Sequence, residues 1–270
     1  MKAVIPAAGY GTRFLPASKT VPKEMLPVGS KPAIQLIVEE AIAAGADEVV
    51  IVTSKDKPSL RAHFDVDELW HNRLKNKPEI DAEMVRLEEL SKKISWAYQY
   101  EQKGLGHAVL QAEPFVRGEK DPVLVLLGDA LVSGKKLASV EMAEISRKYG
   151  NASVVGLERV PLEKVSRYGI VSGEKVEEGV FKLGSLVEKP SIEEAPSDMA
   201  IAGRYLLDPE IFTLLASQET GHGGEIQLTD SIQRLLSSRS VYGYVYPGKR
   251  HDIGNPQGYF ETLCAFNNHC

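Results

Sequence analysis

Arg13, Lys19 and Lys23 put three cations into eleven residues. They sit in a segment, residues 6–30, that also holds Pro6, Pro16, Pro22 and Pro27 with Gly9, Gly11 and Gly29. Arginine presents a planar fork of donors and lysine a compact charge. Glycine lets backbone N–H groups approach anionic oxygens. Together these suit a triphosphate. Taken singly, a Gly-x-Gly is equally a tight turn, and a basic run is equally a solvated loop. Two familiar phosphate loops are excluded. A dinucleotide loop needs a third glycine and an immediate helix, whereas Phe14 holds that position and Pro16 follows. Its ribose-binding carboxylate is also missing, because Thr53-Ser54 ends the second strand. A P-loop needs Gly-Lys-Ser/Thr after four spacers, and that tripeptide is absent here. The loop therefore meets a nucleotide in another way, or not at all.

Asp129 ends the apolar run Val123–Leu127. A carboxylate there can hold Mg²⁺, which takes one or two carboxylates plus substrate phosphates; equally it can be a turn residue. Asp252, in His251-Asp252-Ile253-Gly254, is a second candidate. Glu188-Lys189-Pro190 follows another strand, so the carboxylate can accept sugar hydroxyls while the lysine reaches a phosphate; the alternative is an exposed charged pair. His63, His71, His107, His222, His251 and His269 show no metal-ligand spacing. Gly-x-Ser-x-Gly is absent and no Ser-His-Asp order appears, so no nucleophilic triad is expected.

These residues need a scaffold. Ala3–Ile5 reads as a buried strand feeding a long ordered loop. Ser30 reads as an N-cap with Pro32 in the first turn, Ile34 to Ile42 as an amphipathic helix, and Gly45 as its stop. Val49–Thr53 is the second strand, so a βαβ unit with a parallel sheet is predicted. Further strands are expected at Ile94–Tyr100 and Val123–Leu127. Helices are expected from Gly104 to about Val116 and over 136–149. After Gly150 the character changes. Short strands follow at Ala152–Val160, Tyr168–Val171, Val180–Val187 and Met199–Leu206, with 173–179 as a hairpin tip. Helices at 208–217 and 227–237, a strand at 240–246 and a helix from about 255 complete the chain. The fold class is α/β, a doubly wound region over residues 1–150 whose sheet continues into a smaller mixed β lobe over 151–270, with no flexible linker between them.

The 270 residues are 43% hydrophobic and 26% charged, the balance of an ordinary globular chain. Lys+Arg is 32 against Asp+Glu 37, a net charge of −5. That argues against a general nucleic-acid partner. No apolar stretch approaches the length of a membrane span. Cys264 and Cys270 make no disulfide framework, and a cytoplasmic setting is expected.

From Gly9 through Lys19, and over Pro22-Lys23-Glu24-Met25-Leu26-Pro27, the chain resembles the nucleotide-sugar pyrophosphorylases. The second stretch is similar to the form found in bacterial UTP:glucose-1-phosphate uridylyltransferases. Gly104–Ala108, Arg167-Tyr168-Gly169, Val187–Pro190, Gly203-Arg204-Tyr205 and Gly224–Asp230 follow in the same order, spanning almost the whole chain. The resemblance implies a single Rossmann-like nucleotidyltransferase domain with a mixed, mostly parallel central sheet and a smaller β-rich sugar-binding lobe, residues 1–150 being the nucleotide-binding half and 151–270 the sugar-binding and C-terminal half. It implies a homodimer or homotetramer, and synthesis of UDP-glucose and pyrophosphate from UTP and glucose 1-phosphate with Mg²⁺. It implies that Ala8, Gly9, Gly11 and Gln102 meet the nucleotide, with Gly106 close to the base. Thr12, Arg13 and Lys23 would face the triphosphate. Tyr168, Gly169, Glu188 and Gly203 would hold the glucose and Lys189 its phosphate. Asp129, with Asp252, would bind the metal. One departure is Ala130, where many relatives carry a second Asp. The rival readings are a dTTP-using thymidylyltransferase and a non-catalytic nucleotide-sugar-binding paralogue.

Overall fold

The computed structural model describes residues 1–65, 70, 73 and 77–267. Strand β1 (Lys2–Pro6) leads into three single 3-10 turns, Thr12–Phe14, Ala17–Lys19 and Lys23–Met25. Pro16 and Pro22 stand at the N-caps of the second and third turns, where their fixed φ is tolerated and their missing N–H is not needed. A small hairpin, β2 (Pro27–Val28) and β3 (Lys31–Pro32), closes this segment before α1 (Ala33–Ala43). The expected 6–30 loop is thus a chain of short ordered turns. Ser30 is not the helix cap. It lies in the hairpin turn, and α1 starts after Pro32 with no side-chain capping bond.

The chain continues with β4 (Glu48–Thr53), α2 (Pro58–Phe64), α3 (Pro78–Ser91) and β5 (Ile94–Tyr98). The helix expected from Gly104 to Val116 is two, α4 (Leu105–Leu110) and α5 (Glu113–Val116). Pro114 has no N–H to give the Leu110 carbonyl, so the helix cannot run through. Next come β6 (Val123–Leu126), β7 (Ala130–Ser133), α6 (Ala138–Lys148) and β8 (Ser153–Arg159). Strands β9 (Gly169–Glu177) and β10 (Val180–Glu188) are longer than predicted, and the turn between them is only Glu178-Gly179. The charged residues read as a loop tip instead line an exposed sheet edge, where charge discourages pairing with another chain. Strand β11 (Met199–Leu207), α7 (Glu210–Ala216), α8 (Leu228–Leu235), β12 (Val241–Val245), β13 (Lys249–Asp252) and α9 (Pro256–Asn267) follow.

Among the described residues nine strands form one sheet in the order β5-β4-β1-β6-β11-β8-β12-β10-β9. The β5-β4-β1-β6 block is parallel throughout, and across the whole sheet only β11 and β10 run against the others. Successive residues alternate between two cores. Ala3, Ile5, Val49, Ile51, Leu124 and Leu126 pack under α1 and α6. Val4, Val50, Val52, Val123 and Val125 pack under α4, α7 and α8. Covering both faces explains why β4 and β6 are apolar at nearly every position.

Two features of this topology build the site. First, β9 also pairs with the start of β11, at Met199↔Val171 and Ala200↔Ile170, so the order β11-β8-β12-β10-β9 closes on itself. Further along, the same side of β11 is taken by β6, at Arg204–Leu207. Gly203 lies in the gap between the two partners. Second, β7 and β13 form a separate antiparallel ladder with Asp252 opposite Ala130. No helix among the described residues is long and apolar enough to cross a membrane.

Candidate active site

At the carboxyl end of β1, Ala7 donates its N–H to Val52 O and Gly128 donates to Pro6 O, joining the ends of β1, β4 and β6. Ligands of open α/β sheets bind outside such ends. Gly9 is exposed and has nothing within 4 Å of the position a Cβ would take. Gly11 adopts φ +64°, which favours glycine, and its carbonyl accepts from Ser18 Oγ. Gln102 Nε2 donates to Ala8 O at 3.2 Å, bringing that side chain to the backbone beside Gly9. Thr12, Arg13 and Lys19 are exposed on the turns beyond.

Lys23 projects from the third turn to Asp129, with Nζ 2.6 Å from Oδ2. Burial alone would depress the Lys23 ammonium, but the carboxylates of Asp129 and Glu24 outweigh it and hold its pKa above the ordinary value. Burial alone would raise the Asp129 carboxyl, but the charge and hydrogen bond of Lys23, with Arg13, bring it below the usual range. Asp129 is therefore an anion. Its carbonyl accepts from Ile253 N–H, and this contact beside the β7–β13 ladder brings Asp252 alongside. A Cβ on Gly254 would stand 2.9 Å from Asp252 Oδ1 and 3.0 Å from Asp129 Oδ2, so both carboxylates converge on that glycine. Asp252 accepts from Gly254 N–H at 2.7 Å and from Asn255 Nδ2 at 3.2 Å, which fixes it and leaves lone pairs open. Among the described residues no three His, Cys, Asp or Glu side chains gather as a metal cage. Two oxygen donors without a cage suit Mg²⁺, which takes the rest of its shell from phosphates and water.

A cavity of about 640 Å³ opens from this carboxylate pair toward the closed strands. Arg13, Asp129 and Asp252 line it together with Tyr168, Gly169, Glu188, Lys189 and Gly203. The β9–β10 register sets Gly169 opposite Glu188. A Cβ on Gly169 would come within 3.2 Å of Glu188 Oε2 and 3.1 Å of Thr229 Oγ1, so glycine keeps the recess open. Thr229, on α8, donates to Glu188 Oε2 at 2.8 Å and leaves the other oxygen facing Lys189 Nζ at 3.3 Å. Lys189 holds φ +46°, a left-handed conformation that side chains rarely adopt and that clusters at functional sites. Its N–H donates to Tyr168 O. Gly203, at φ +75°, would put a Cβ 3.1 Å from Leu127, and its carbonyl accepts from Leu127 N–H.

Ala8, Gly9, Gly11, Thr12, Lys23, Gln102 and Gly106 do not line this cavity. They lie around its β1 end. Gly106 is tied into the fold itself: it donates to Ile226 O, Ile226 donates to Lys103 O, and a Cβ on Gly106 would sit 2.7 Å from Ile226 O. The Gly-Leu-Gly and Glu-Ile-Gln-Leu-Thr stretches are therefore partners. Their pairing sets the start of α8 and hence Thr229.

Several lining residues had no role in the sequence reading. Thr229, within Gly224–Asp230, and Arg167, within Arg167-Tyr168-Gly169, both line the cavity. Arg250, in Lys249-Arg250-His251-Asp252, also lines the cavity. It sits 5.0 Å over the Tyr168 ring and is ion-paired with Glu158 at 2.5 Å. Behind the wall, Arg204 is fully buried and forms a fork with Glu40 at 2.9 and 2.8 Å. The same guanidinium donates to Ala130 O at 2.7 Å and Gly203 O at 3.1 Å. It thus bolts the residue after Asp129 to the glycine of the recess. Of the histidines, His71 and His269 lie outside the described residues, as does Cys270.

A family model described as nucleotidyl transferase matches residues 2–268. Over 265 residues the chain is 43% identical to the UTP–glucose-1-phosphate uridylyltransferase of Pseudomonas aeruginosa, covering 97% of this chain and 94% of that one. Against the protein of the same name from Staphylococcus epidermidis it is 44% identical over 266 residues, covering 98% and 91%. A solved UDP-glucose pyrophosphorylase complexed with UDP-glucose superposes with a TM-score of 0.87 at 41% identity, covering 100% of this chain and 99% of that one.

Proposed function

The chain belongs to the nucleotidyl transferase family, and from that premise we propose that it makes UDP-glucose and pyrophosphate from UTP and glucose 1-phosphate. The observation that supports this most is the shared cavity. Arg13, from the cation-bearing loop after β1, and the carboxylates Asp129 and Asp252 line the same space as Glu188, Lys189 and the glycine-lined recess, and Lys23 reaches that space through its ion pair with Asp129. A donor triphosphate and an acceptor sugar phosphate can meet there.

The reaction is an in-line displacement. A phosphate oxygen of glucose 1-phosphate forms a bond to the α-phosphorus of UTP, the bond from that phosphorus to the bridging oxygen breaks, and pyrophosphate leaves with the electron pair. The attacking oxygen is already ionised at neutral pH, so no general base is required. Catalysis is then positioning and charge neutralisation. Ala8, Gly9, Gly11 and Gln102 bind the nucleoside end, with Gly106 beside them. Thr12, Arg13 and Lys23 bind the phosphate chain. Lys189 holds the sugar's phosphate, and Tyr168, Gly169, Glu188 and Gly203 orient its hydroxyls. Asp129 and Asp252 would hold Mg²⁺, whose charge when bound neutralises the phosphate oxygens. The same reading carries a cytoplasmic homodimer or homotetramer, which light scattering on the purified protein would count.

The test is pyrophosphate release with Mg²⁺, glucose 1-phosphate and UTP, dTTP, ATP, CTP or GTP in turn. Release with UTP well above the others is expected. Comparable release with dTTP would overturn the nucleotide assignment, and none with any nucleotide would overturn the reaction.

A further inference from the structure

Lys57 and Glu24 are 6% and 1% exposed, yet both carry ionisable side chains and neither lines the cavity. Lys57 follows β4, in a turn where its N–H donates to Ser54 O. Its side chain reaches back under the β1 exit. Nζ donates to Ala7 O at 2.7 Å and to the two oxygens of Glu24 at 3.0 and 2.9 Å. An ammonium has three N–H bonds, and these are three acceptors. The geometry leaves this lysine no capacity for substrate.

The two elements it joins are the two that bear the nucleotide-facing groups. Ala7 is held at both ends, its N–H on Val52 O and its carbonyl on Lys57. Ala8 and Gly9 follow directly. Glu24 shares a single 3-10 turn with Lys23, whose ammonium meets Asp129. Glu24 also packs against Gly128, where a Cβ would stand 3.5 Å from its Cγ. A line of contacts thus runs from β4 through Lys57 to Ala7 on one side, and through Glu24, Lys23 and Asp129 on the other.

A buried pair is a poor way to gain stability. Burial depresses the Lys57 ammonium despite the pull of Glu24, and burial raises the Glu24 carboxyl despite the pull of Lys57. Apolar residues of similar size often fold as well or better than such a pair. What the pair supplies, and apolar residues would not, is a directional tie between two segments that have only short turns of their own.

We propose that Lys57 is a positioning residue for the nucleotide: through Ala7 and Glu24 it sets the Ala8-Gly9 backbone against Lys23, and it leaves the sugar phosphate end alone. This rests on the proposed reaction for its kinetic readout, but its binding readout does not.

The experiment compares wild type with Lys57→Met/Glu24→Gln, which removes both charges together, and with Lys57→Met alone, where the buried Glu24 can take up a proton, in case the double variant does not fold. The readouts are the thermal midpoint, steady-state constants for each substrate, and UTP binding by calorimetry. A folded variant is expected to lose tenfold or more in UTP affinity and in KM for UTP, with KM for glucose 1-phosphate changed less than twofold. A folded variant that binds UTP like wild type would overturn the proposal. So would equal losses for both substrates, which a merely structural role produces. If wild type releases no pyrophosphate, the reaction fails, while the calorimetric comparison still decides the role of Lys57.

Discussion

Lys23 Nζ lies 2.6 Å from Asp129 Oδ2, and this one ion pair joins the third turn after β1 to the residue that ends the β6 segment. Without substrate each charge answers the other. On the proposed reaction, bound phosphates would give the lysine anionic oxygens to meet and Mg²⁺ would give the carboxylate a cation to hold. Asp129→Asn keeps the shape and removes the charge. Activity is expected to fall by about a hundredfold or more, the scale seen when a group that stabilises transition-state charge is removed. The Mg²⁺ concentration for half-maximal rate is expected to rise. Pyrophosphate release across a Mg²⁺ titration reads both, and activity within a few-fold of wild type would sink the metal assignment.

Lys189 combines a charge with a left-handed backbone at φ +46°. Asparagine tolerates that conformation and carries no charge. A hydrogen bond to a charged group is worth about 1.5–3 kcal/mol, roughly ten- to hundredfold in affinity. Lys189→Asn is expected to raise KM for glucose 1-phosphate by that factor while KM for UTP and the thermal midpoint stay near wild type. An unchanged KM for the sugar phosphate would remove Lys189 from the site.

Arg204 and Glu40 stand 164 residues apart and meet as a buried fork. Breaking one side of such a pair costs about 3–5 kcal/mol, whereas replacing both with apolar residues can restore most of it. Arg204→Met is therefore expected to unfold at markedly lower denaturant, and Arg204→Met/Glu40→Leu to recover much of that loss. Activity should stay low in the double variant, because Ala130 O and Gly203 O lose their shared donor. Recovery of both stability and activity would show that the fork serves the core alone.

The pH profile follows from the directions of two shifts. Asp129 has a folded pKa below its unfolded value. Its contribution to stability is therefore present above about pH 4 and lost as pH falls through the lower folded value. Lys23 has a folded pKa above its unfolded value. Its contribution is fully present below about pH 10 and lost only as pH rises beyond that. Neither group titrates between pH 6 and 9. The second ionisation of a phosphomonoester, at about pH 6, does. The acid limb of kcat/KM for glucose 1-phosphate is expected to follow the substrate and to move with a phosphonate analogue of higher pKa. A limb that stays put would belong to the enzyme.

Much of the site was legible because its signals are local. A glycine loop after an apolar strand, prolines that forbid a helix, and a carboxylate closing Val123–Leu127 each declare themselves within a dozen residues. The same holds for β1 and β4, whose unbroken apolar runs come from burying both sheet faces, and for α1, whose helical periodicity comes from burying one face. The misread places have physical reasons of their own. Pro114 divides a helix whose apolar pattern continues past it. The charged edge of β9 resembles a loop because an exposed sheet edge and a turn both favour polar residues.

By itself the sequence determined the βαβ start, the phosphate-suited loop and Asp129 at a strand end, since each depends on neighbours along the chain. Only the tertiary structure decided which distant groups share one space. Asp252 reaches Asp129 through the β7–β13 ladder, Thr229 reaches Glu188 through the meeting of residues 103–106 with Ile226, and Arg204 and Lys57 find their carboxylates across the fold. Those contacts depend on strand order and sheet closure. A residue's type says what it can bond, but only the folded path of the backbone says what stands within reach.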